Sequence, residues 1–206
     1  QVSCLNAPVV LRGSGRLHLI SGGVIGFYMQ TPVYVTESFE LLISGGEVNQ
    51  LLEFSGSSGL TATGGILGSD VSLREQAWLT VSGGDVNSSF SLSGMSQLSF
   101  SGGAITASSV SLDEAAIEII GSGFNYPLGN VPGTTGTVTG LLADGSPISI
   151  DFQKASTASI LLRAPATPTN SDLAVAFVSS PTTVDTYGNV NLTFSVTNNG
   201  PDPADN

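Results

Sequence analysis

Apolar residues recur along this chain in short clusters, and the whole pattern repeats every 19 residues. Ser-Gly-Gly or Thr-Gly-Gly triplets begin at residues 44, 63, 82 and 101, which gives three equal steps. A further triplet at residues 21–23 lies one unit plus four residues upstream, and a degenerate Gly-Ser-Gly copy follows at residues 121–123. A fixed internal period is the sequence signature of stacked repeats, in which neighbouring units share one core.

Each copy carries three apolar clusters when the copies are aligned on their glycine pairs. The first cluster, after the pair, is one column made of Ile25, Val48, Leu67, Val86 and Ile105. The second and third alternate apolar with polar residues, which places their apolar residues on one face of a β-strand. The second contains Leu52 with Phe54, Val71 with Leu73, Phe90 with Leu92 and Val110 with Leu112; the third contains Leu41 with Ile43, Leu60 with Ala62, Leu79 with Val81, Leu98 with Phe100 and Ile117 with Ile119. A one-residue displacement of the Val110 pair predicts a bulge near residues 107–109.

These columns predict an all-β chain folded as a parallel β-solenoid with turns of about 19 residues. Each turn would contain three short strands, with the glycine pair at a corner because glycine adopts unusual φ/ψ values without a Cβ penalty. Turns stacked about 4.8 Å apart would give a rod roughly 25–35 Å long for five to seven turns. An antiparallel sandwich is the alternative, since strands separated by frequent turns also suit one. The fixed period favours the solenoid.

The pattern divides the chain into a solenoid with its ends (residues 1–163), a Pro/Thr-rich linker (164–171) and a C-terminal β segment (172–206). Residues 1–20 are expected to be a first turn or an N-terminal cap. Strands at 136–142 and 147–150 around an Asp-Gly turn, followed by a strand at 159–162, predict a small antiparallel cap at the other end. The four extra residues in the turn at 21–43 accompany an aromatic cluster of Phe27, Tyr28, Met29, Pro32 and Tyr34. That cluster is either folded onto its own turn or an exposed contact patch.

The composition of the chain argues against several classes of protein. Charged residues make up 10% of the chain, and 16 Asp and Glu against 5 Lys and Arg give a formal net charge of −11, which argues against a nucleic-acid binder. No apolar run approaches the roughly 20 residues of a membrane span. Cys4 is the single cysteine and allows no intrachain disulfide. The opening Gln1, without a basic and apolar leader, is interpreted as the start of a mature exported chain.

Candidate chemistry is sparse. His18 is the only histidine, and its place between two leucines predicts an outward side chain. Glu47 and Asp85 share a column but lie two turns apart, with Ile66 between them, while Arg74 and Lys154 are expected to be isolated. The Gly-Gly-x-Gly-x-Asp calcium repeat is absent. We therefore predict no catalytic, cofactor-binding or metal-binding residues, and a protein that is not an enzyme.

Two stretches resemble known proteins. Asp-Leu-Ala-Val at 172–175, Gly188-Asn189 and Val-Thr-Asn-Asn-Gly-Pro at 196–201 resemble the opening strands of the Ig-like repeat found in tandem on bacterial surface proteins. The solenoid, together with the stretch at 136–146, is similar to repetitive secreted proteins of environmental bacteria, including PEP-CTERM-sorted ones. The resemblance implies an exported surface or filament protein.

The expected function is that of an extracellular structural or adhesive protein. It would be the building block of a surface filament, sheath or stalk, assembled as a homopolymer by β-strand pairing between subunits. The alternative is a carbohydrate-binding or carbohydrate-cleaving β-helix, which would show a groove with clustered carboxylates and aromatic rings on one face. Its ligand would be a surface or a carbohydrate.

Overall fold

The computed structural model describes residues 9–25, 32–166, 173–179 and 193–198, and their regular structure consists of β-strands without a helix. The chain divides into two compact units, Gln1–Pro165 and Ala166–Asn206. The strands of the first unit are β1 (Val9–Leu11), β2 (Arg16–Leu19), β3 (Val24–Ile25), β4 (Val33–Val35), β5 (Glu40–Val48), β6 (Leu52–Phe54), β7 (Gly59–Leu67), β8 (Val71–Leu73), β9 (Trp78–Val86), β10 (Ser89–Ser93), β11 (Gln97–Asp113), β12 (Ala116–Ser122), β13 (Gly129–Asn130), β14 (Thr135–Leu142), β15 (Pro147–Lys154) and β16 (Ser159–Arg163).

The first unit is a parallel β-solenoid, as the 19-residue period predicts. Each turn contributes one segment, here called a rung, to each of three parallel sheets. In sheet 1 the segments before the glycine pair stack as Leu41, Leu60, Leu79, Leu98, Ile117 and Ile160. In sheet 2 the segments after the pair stack as Val48, Leu67, Val86, Ile105 and Ile148. In sheet 3 the remaining segments stack as Leu52, Val71, Phe90, Val110 and Phe152. These parallel ladders exclude the antiparallel sandwich.

The core fills the space between the three sheets. Its buried columns come from the alternating positions that the sequence aligns, and the residues at these positions in the central rungs are almost fully shielded from solvent. Phe90 of sheet 3 meets Phe100 of sheet 1 across the interior, with ring centroids 5.6 Å apart and an interplanar angle of 74°. Such edge-to-face contacts add to the stability that burial provides, so this pair ties two sheets together.

The glycine pairs form the corner between sheets 1 and 2. The second glycine of each pair has a positive φ, at 78° for Gly46, 82° for Gly65 and 91° for Gly84 and Gly103. A Cβ built on Gly84 would lie 2.6 Å from the carbonyl oxygen of Gly65 in the rung before it, and Gly103 meets Gly84 in the same way at 2.7 Å. Glycine is therefore required at this corner both for its backbone conformation and for the stacking of one turn on the next.

The corner between sheets 3 and 1 uses glycine and glutamate at the same backbone position. Gly56 and Gly94 have φ values of 71° and 66°, and Glu75, at the matching place in the rung between them, has 62°. Glu37 and Glu114 continue the column with 66° and 61°. A side chain in this left-handed conformation costs on the order of 1–2 kcal/mol. The Glu75 carboxylate accepts a hydrogen bond of 2.6 Å from the backbone N–H of Gly56, which offsets part of that cost.

The C-terminal end differs from the predicted antiparallel cap in one respect. β14 pairs antiparallel with β15, and β13 with β16, so an antiparallel cap is present. However, β15 also pairs parallel with β11, and β16 with β12, so both strands are rungs of the solenoid. The reason is that Ile148, Ile150 and Phe152 continue the buried columns. The bulge predicted near residues 107–109 falls between Ile105 and Ser108.

At the N-terminal end, β1, β2 and β3 form the first turn of the stack. Of the aromatic cluster in the enlarged turn, Pro32 and Tyr34 are half-buried. Phe27, Tyr28 and Met29 lie outside the described residues, so the two interpretations of that cluster remain predictions.

The second unit contains two strands, β17 (Leu173–Ser179) and β18 (Thr193–Asn198). They pair antiparallel, with Val175 opposite Val196 and Phe177 opposite Phe194. Both strands lie within the predicted C-terminal β segment (172–206). Most of the predicted linker and the other residues that carry the Ig-like resemblance lie outside the described residues, so both interpretations remain predictions.

Candidate functional site

Among residues 9–25 and 32–166, no strand covers the N-terminal end of the core. Val9 and Leu17 stand in the columns of Val33 and Leu41, which are 5% and 1% exposed, yet they are themselves 42% and 40% exposed. Other exposed apolar side chains of this turn are Val10, Ile20 and Val24. The end of the solenoid therefore presents an apolar surface, called here the open end and defined by residues 9–25.

The backbone of the open end also lacks partners on one side. Within residues 9–25 and 32–166, β1 pairs with β4 alone, while β2 and β3 pair with β5 alone. The outer edge of each strand thus carries N–H and C=O groups that no described strand satisfies. Such edges are templates for pairing with another strand.

The open end is also the basic part of an acidic chain. It holds Arg12, Arg16 and His18 and contains no Asp or Glu. Arg16 pairs with Glu40 of the next rung, with Nε 2.7 Å from Oε2, and the His18 Nε2 lies 2.6 Å from the Ser44 hydroxyl. Arg12 is exposed, and no carboxylate of the described residues forms an ion pair with it. The edge therefore carries positive charge beside its apolar surface.

The opposite end of the solenoid is sealed. The antiparallel strands β13 and β14 cover the last rungs of sheets 1 and 3, and Phe124 and Tyr126 pack against the core. Asn125 holds this segment in place: its side-chain amide donates to the Thr137 carbonyl at 2.8 Å and its Oδ1 accepts from the Thr139 N–H at 2.9 Å. Within the part of the first unit that the structure describes, the two ends of the solenoid are thus unlike, one covered and one exposed.

Asp144 fastens the cap hairpin to a glycine corner. Its Oδ2 accepts a hydrogen bond of 2.8 Å from the Gly103 N–H, and its Oδ1 accepts one of 2.9 Å from the Ser146 N–H. Partial burial acts to raise the pKa of Asp144, but the hydrogen bonds from Gly103 and Ser146 outweigh it and hold the pKa below its ordinary value. The charged form of this carboxyl therefore stabilises the folded cap.

We expect Asp144 to make stability depend on pH in the acid range. Because its folded pKa is lowered, its contribution is present above the unfolded pKa of about 3.9 and is lost as the pH falls through the folded pKa. The free energy of unfolding of Asp144→Asn, measured by urea titration between about pH 3 and pH 7, should approach that of the wild type at the acid end. Asp85→Asn, which changes an exposed carboxyl on sheet 2, is the matched control. A constant gap between wild type and Asp144→Asn over the whole range would contradict this role.

A groove of about 570 Å³ lies on the outside of sheet 3. Hydroxyl groups line it, with Asp70 near one end and Asp151 near the other. The register separates these two carboxyls by three rungs, or about 14 Å at roughly 4.8 Å per rung. Glycoside hydrolases place their two carboxyls roughly 5–9.5 Å apart. Both carboxylates also hold neighbouring groups, since Asp70 accepts from the Ser89 N–H at 3.3 Å and Asp151 from the Thr137 hydroxyl at 2.6 Å.

Aromatic rings do not open onto this groove. Phe90 and Phe152 contribute atoms to the floor of the groove, but their side chains belong to the core and are only 2% and 4% exposed. Trp78 lies on the outside of sheet 1, where its indole covers Gly59 of the preceding rung. A Cβ on Gly59 would lie 2.6 Å from the ring atom Cδ2. An aromatic ring over a strand glycine shields the exposed backbone, which is a structural use of this side chain.

The structure does not bring the candidate residues of the sequence together. Glu47 and Asp85 share a column of sheet 2 with Ile66 between them, as expected. His18 is exposed, also as expected. The expectation that Arg74 is isolated was wrong, because its guanidinium lies 3.6 Å from the Glu53 carboxylate in the neighbouring rung. Lys154 was likewise expected to be isolated. It is not, because its Nζ donates a hydrogen bond of 3.4 Å to the Ala158 carbonyl.

Further observations bear on the classes of site. Among the described residues, no group of three His, Cys, Asp or Glu side chains is placed to hold a metal ion. No helix of the described part is long and apolar enough to cross a membrane. Comparison of the chain with family models, curated proteins and solved structures finds no match. The two ends and the outer faces of the solenoid are therefore the features from which we infer a function.

The open end is the feature that the sequence analysis missed. Its signal was available, because the charge of the chain is uneven: Arg12, Arg16 and His18 all precede the first acidic residue, Glu37. Residues 1–20 are predicted to be a first turn or an N-terminal cap, and nothing in a repeat pattern tells whether the apolar residues of a terminal rung are covered.

Proposed function

We propose that this protein is an extracellular structural protein, the building block of a surface filament, sheath or stalk that assembles through β-strand pairing between subunits. The observation that carries the proposal is the open end, where core columns and unpaired strand edges reach the surface together. A solenoid that works alone needs both of its ends covered. A solenoid with one open end has a place for a neighbouring subunit.

The outer faces of the solenoid favour a structural role over an enzymatic one. Their side chains are mostly Ser, Thr and Gly with few charges, and the carboxylates of the sheet 3 groove are occupied by local hydrogen bonds. The carbohydrate alternative expects carboxylates clustered with exposed aromatic rings. The sheet 3 groove has its carboxyls about 14 Å apart by the rung spacing and its phenylalanines buried, so assembly is the function that we favour. The same composition, low in charge and rich in Ser, Thr and Gly, supports a place outside the cell.

Assembly is tested directly by electron microscopy and light scattering of the purified chain at increasing concentration. We expect ordered polymers or longer rods whose mean mass rises with concentration. Leu17→Lys places a charge on the exposed apolar surface and should abolish them, whereas Ile66→Lys, an exposed apolar position on sheet 2, should leave them intact. The proposal would be wrong if the mean molecular mass stayed at that of a single chain at every concentration.

A further inference from the structure

We propose that the open end binds the β17–β18 hairpin of a second copy of this chain. The inference deepens the proposed function, on which it rests, by naming the two surfaces that meet. Each subunit would then offer its hairpin to the open end of the next, and the contact would be heterologous. Repetition of a heterologous contact produces a chain of subunits when it does not close into a ring.

The sealed end offers the open end no uncovered core columns. In it, the last rungs of sheets 1 and 3 are already paired with β13 and β14. Phe124 and Tyr126 cover the core there, and Tyr126 packs against Phe152 with ring centroids 6.4 Å apart. Direct stacking of one solenoid on another, open end to sealed end, would therefore place β13, β14 and the aromatic cover, and no exposed end of the core columns, against the open end.

Charge disfavours two open ends meeting face to face. Each one carries Arg16, whose partner Glu40 lies in the next rung, and Arg12, which forms no ion pair with a described carboxylate, so a symmetric contact would bring the unpaired positive charges of two Arg12 side chains into one interface. Like charges placed opposite one another across an interface are unfavourable and act against the wrong partner. The partner of the open end should instead be acidic.

The second unit has the complementary charge. Its acidic residues are Asp172, Asp185, Asp202 and Asp205, and residues 166–206 contain no Lys, Arg or His. This gives a formal charge of −4 in 41 residues, from four Asp and no cation. Opposite charges across an interface speed association and fix which surfaces meet, so the hairpin suits the basic open end of another subunit.

The hairpin also offers hydrogen-bond partners for the unpaired backbone groups of the open end. Among the described residues, β17 and β18 pair only with each other, so each has a free outer edge. β17 is seven residues long and β18 six, enough to lie along β1 or β2, which have three and four. An isolated two-stranded sheet is marginal in water. Adding it to a larger sheet would satisfy backbone groups on both molecules, the mode of strand addition.

Charge reversal on the full-length chain tests this pairing. In the variant Arg12→Glu with Arg16→Glu, we expect association, measured by analytical ultracentrifugation at physiological salt, to weaken at least tenfold. Because Arg16 pairs with Glu40 in its own chain, the single variant Arg12→Glu is measured as well, and circular dichroism checks that each solenoid is folded. Arg74→Glu with Arg163→Glu changes two exposed, ion-paired arginines elsewhere on the solenoid and serves as the control of equal charge.

A second set of charge-reversing substitutions, on the second unit, identifies the surface that binds the open end. Adding Asp172→Lys and Asp185→Lys to the Arg12→Glu, Arg16→Glu chain should restore association to within a few-fold of the wild type, because the signs at both surfaces are exchanged. Failure of that rescue, or equal weakening by the control pair, would overturn the pairing while polymers of the wild type uphold the filament. A wild-type chain that stays monomeric at all concentrations would overturn the filament and this pairing together.

Discussion

Replacing Phe100 by alanine is expected to lower the free energy of unfolding by about 4 kcal/mol, the middle of the range for deleting a buried aromatic ring. Phe100 is fully buried in sheet 1 and meets Phe90 of sheet 3 edge to face. The cavity would border sheets 1 and 3, whose strands β10 and β11 are held by ladders to neighbouring rungs and cannot collapse inward without breaking them. Urea denaturation followed by the fluorescence of Trp78 gives the measurement.

The control for this prediction keeps a large apolar side chain. Phe100→Leu should cost roughly 1–2 kcal/mol, since most of the buried volume remains and only the ring contact is lost. Equal losses for Phe100→Ala and Phe100→Leu would show that cavity volume does not determine the effect. A loss below about 1 kcal/mol for Phe100→Ala would contradict the close packing of this interior.

Replacing Gly84 by alanine is expected to cost about 3 kcal/mol through two separable effects. A residue with a Cβ at a positive φ costs roughly 1 kcal/mol, and overpacking a close contact adds typically 1–3 kcal/mol. The φ of Gly84 is 91°, and its new Cβ would press against the Gly65 carbonyl. Thermal and urea unfolding of the full chain measure the loss.

Gly145→Ala separates the two effects of the Gly84 substitution. Gly145 has a φ of 85°, close to that of Gly84, but a Cβ there meets nothing within 4 Å. This variant should lose only the conformational part, about 1 kcal/mol. If both variants lose the same stability, backbone conformation alone explains the glycine corner and the stacking argument is wrong.

The sequence was sufficient for the solenoid because every rung obeys the same local rule. Val48, Leu67, Val86 and Ile105 align in the sequence and are consecutive partners in sheet 2. Even the bulge could be placed to within two residues, since one extra residue in a strand must appear as a slip of the alternating pattern.

The features that escaped prediction depend on context that a repeat pattern does not contain. Glu75 and Glu114 adopt the left-handed conformation because the glycines in neighbouring rungs fix the path of the corner, although glutamate itself does not favour it. β15 joins the parallel stack because its apolar residues pair along the free edge of β11. The 19-residue period does not reveal this, since residues 114–146 separate the two strands in the sequence. The apolar pattern did not mark the open end, because the burial of a terminal rung depends on what covers it, and only the uneven charge of the chain signalled that end.

The glycine corner also governs how this molecule can change in length over evolutionary time. Each corner rests on the one before it with the same geometry, and each unit contacts mainly its two neighbours. Unequal recombination that removes or duplicates one whole unit in frame would thus join compatible surfaces and alter the rod by about 4.8 Å. Both ends of the solenoid would be inherited unaltered, so its length can change while the structure of each end is kept.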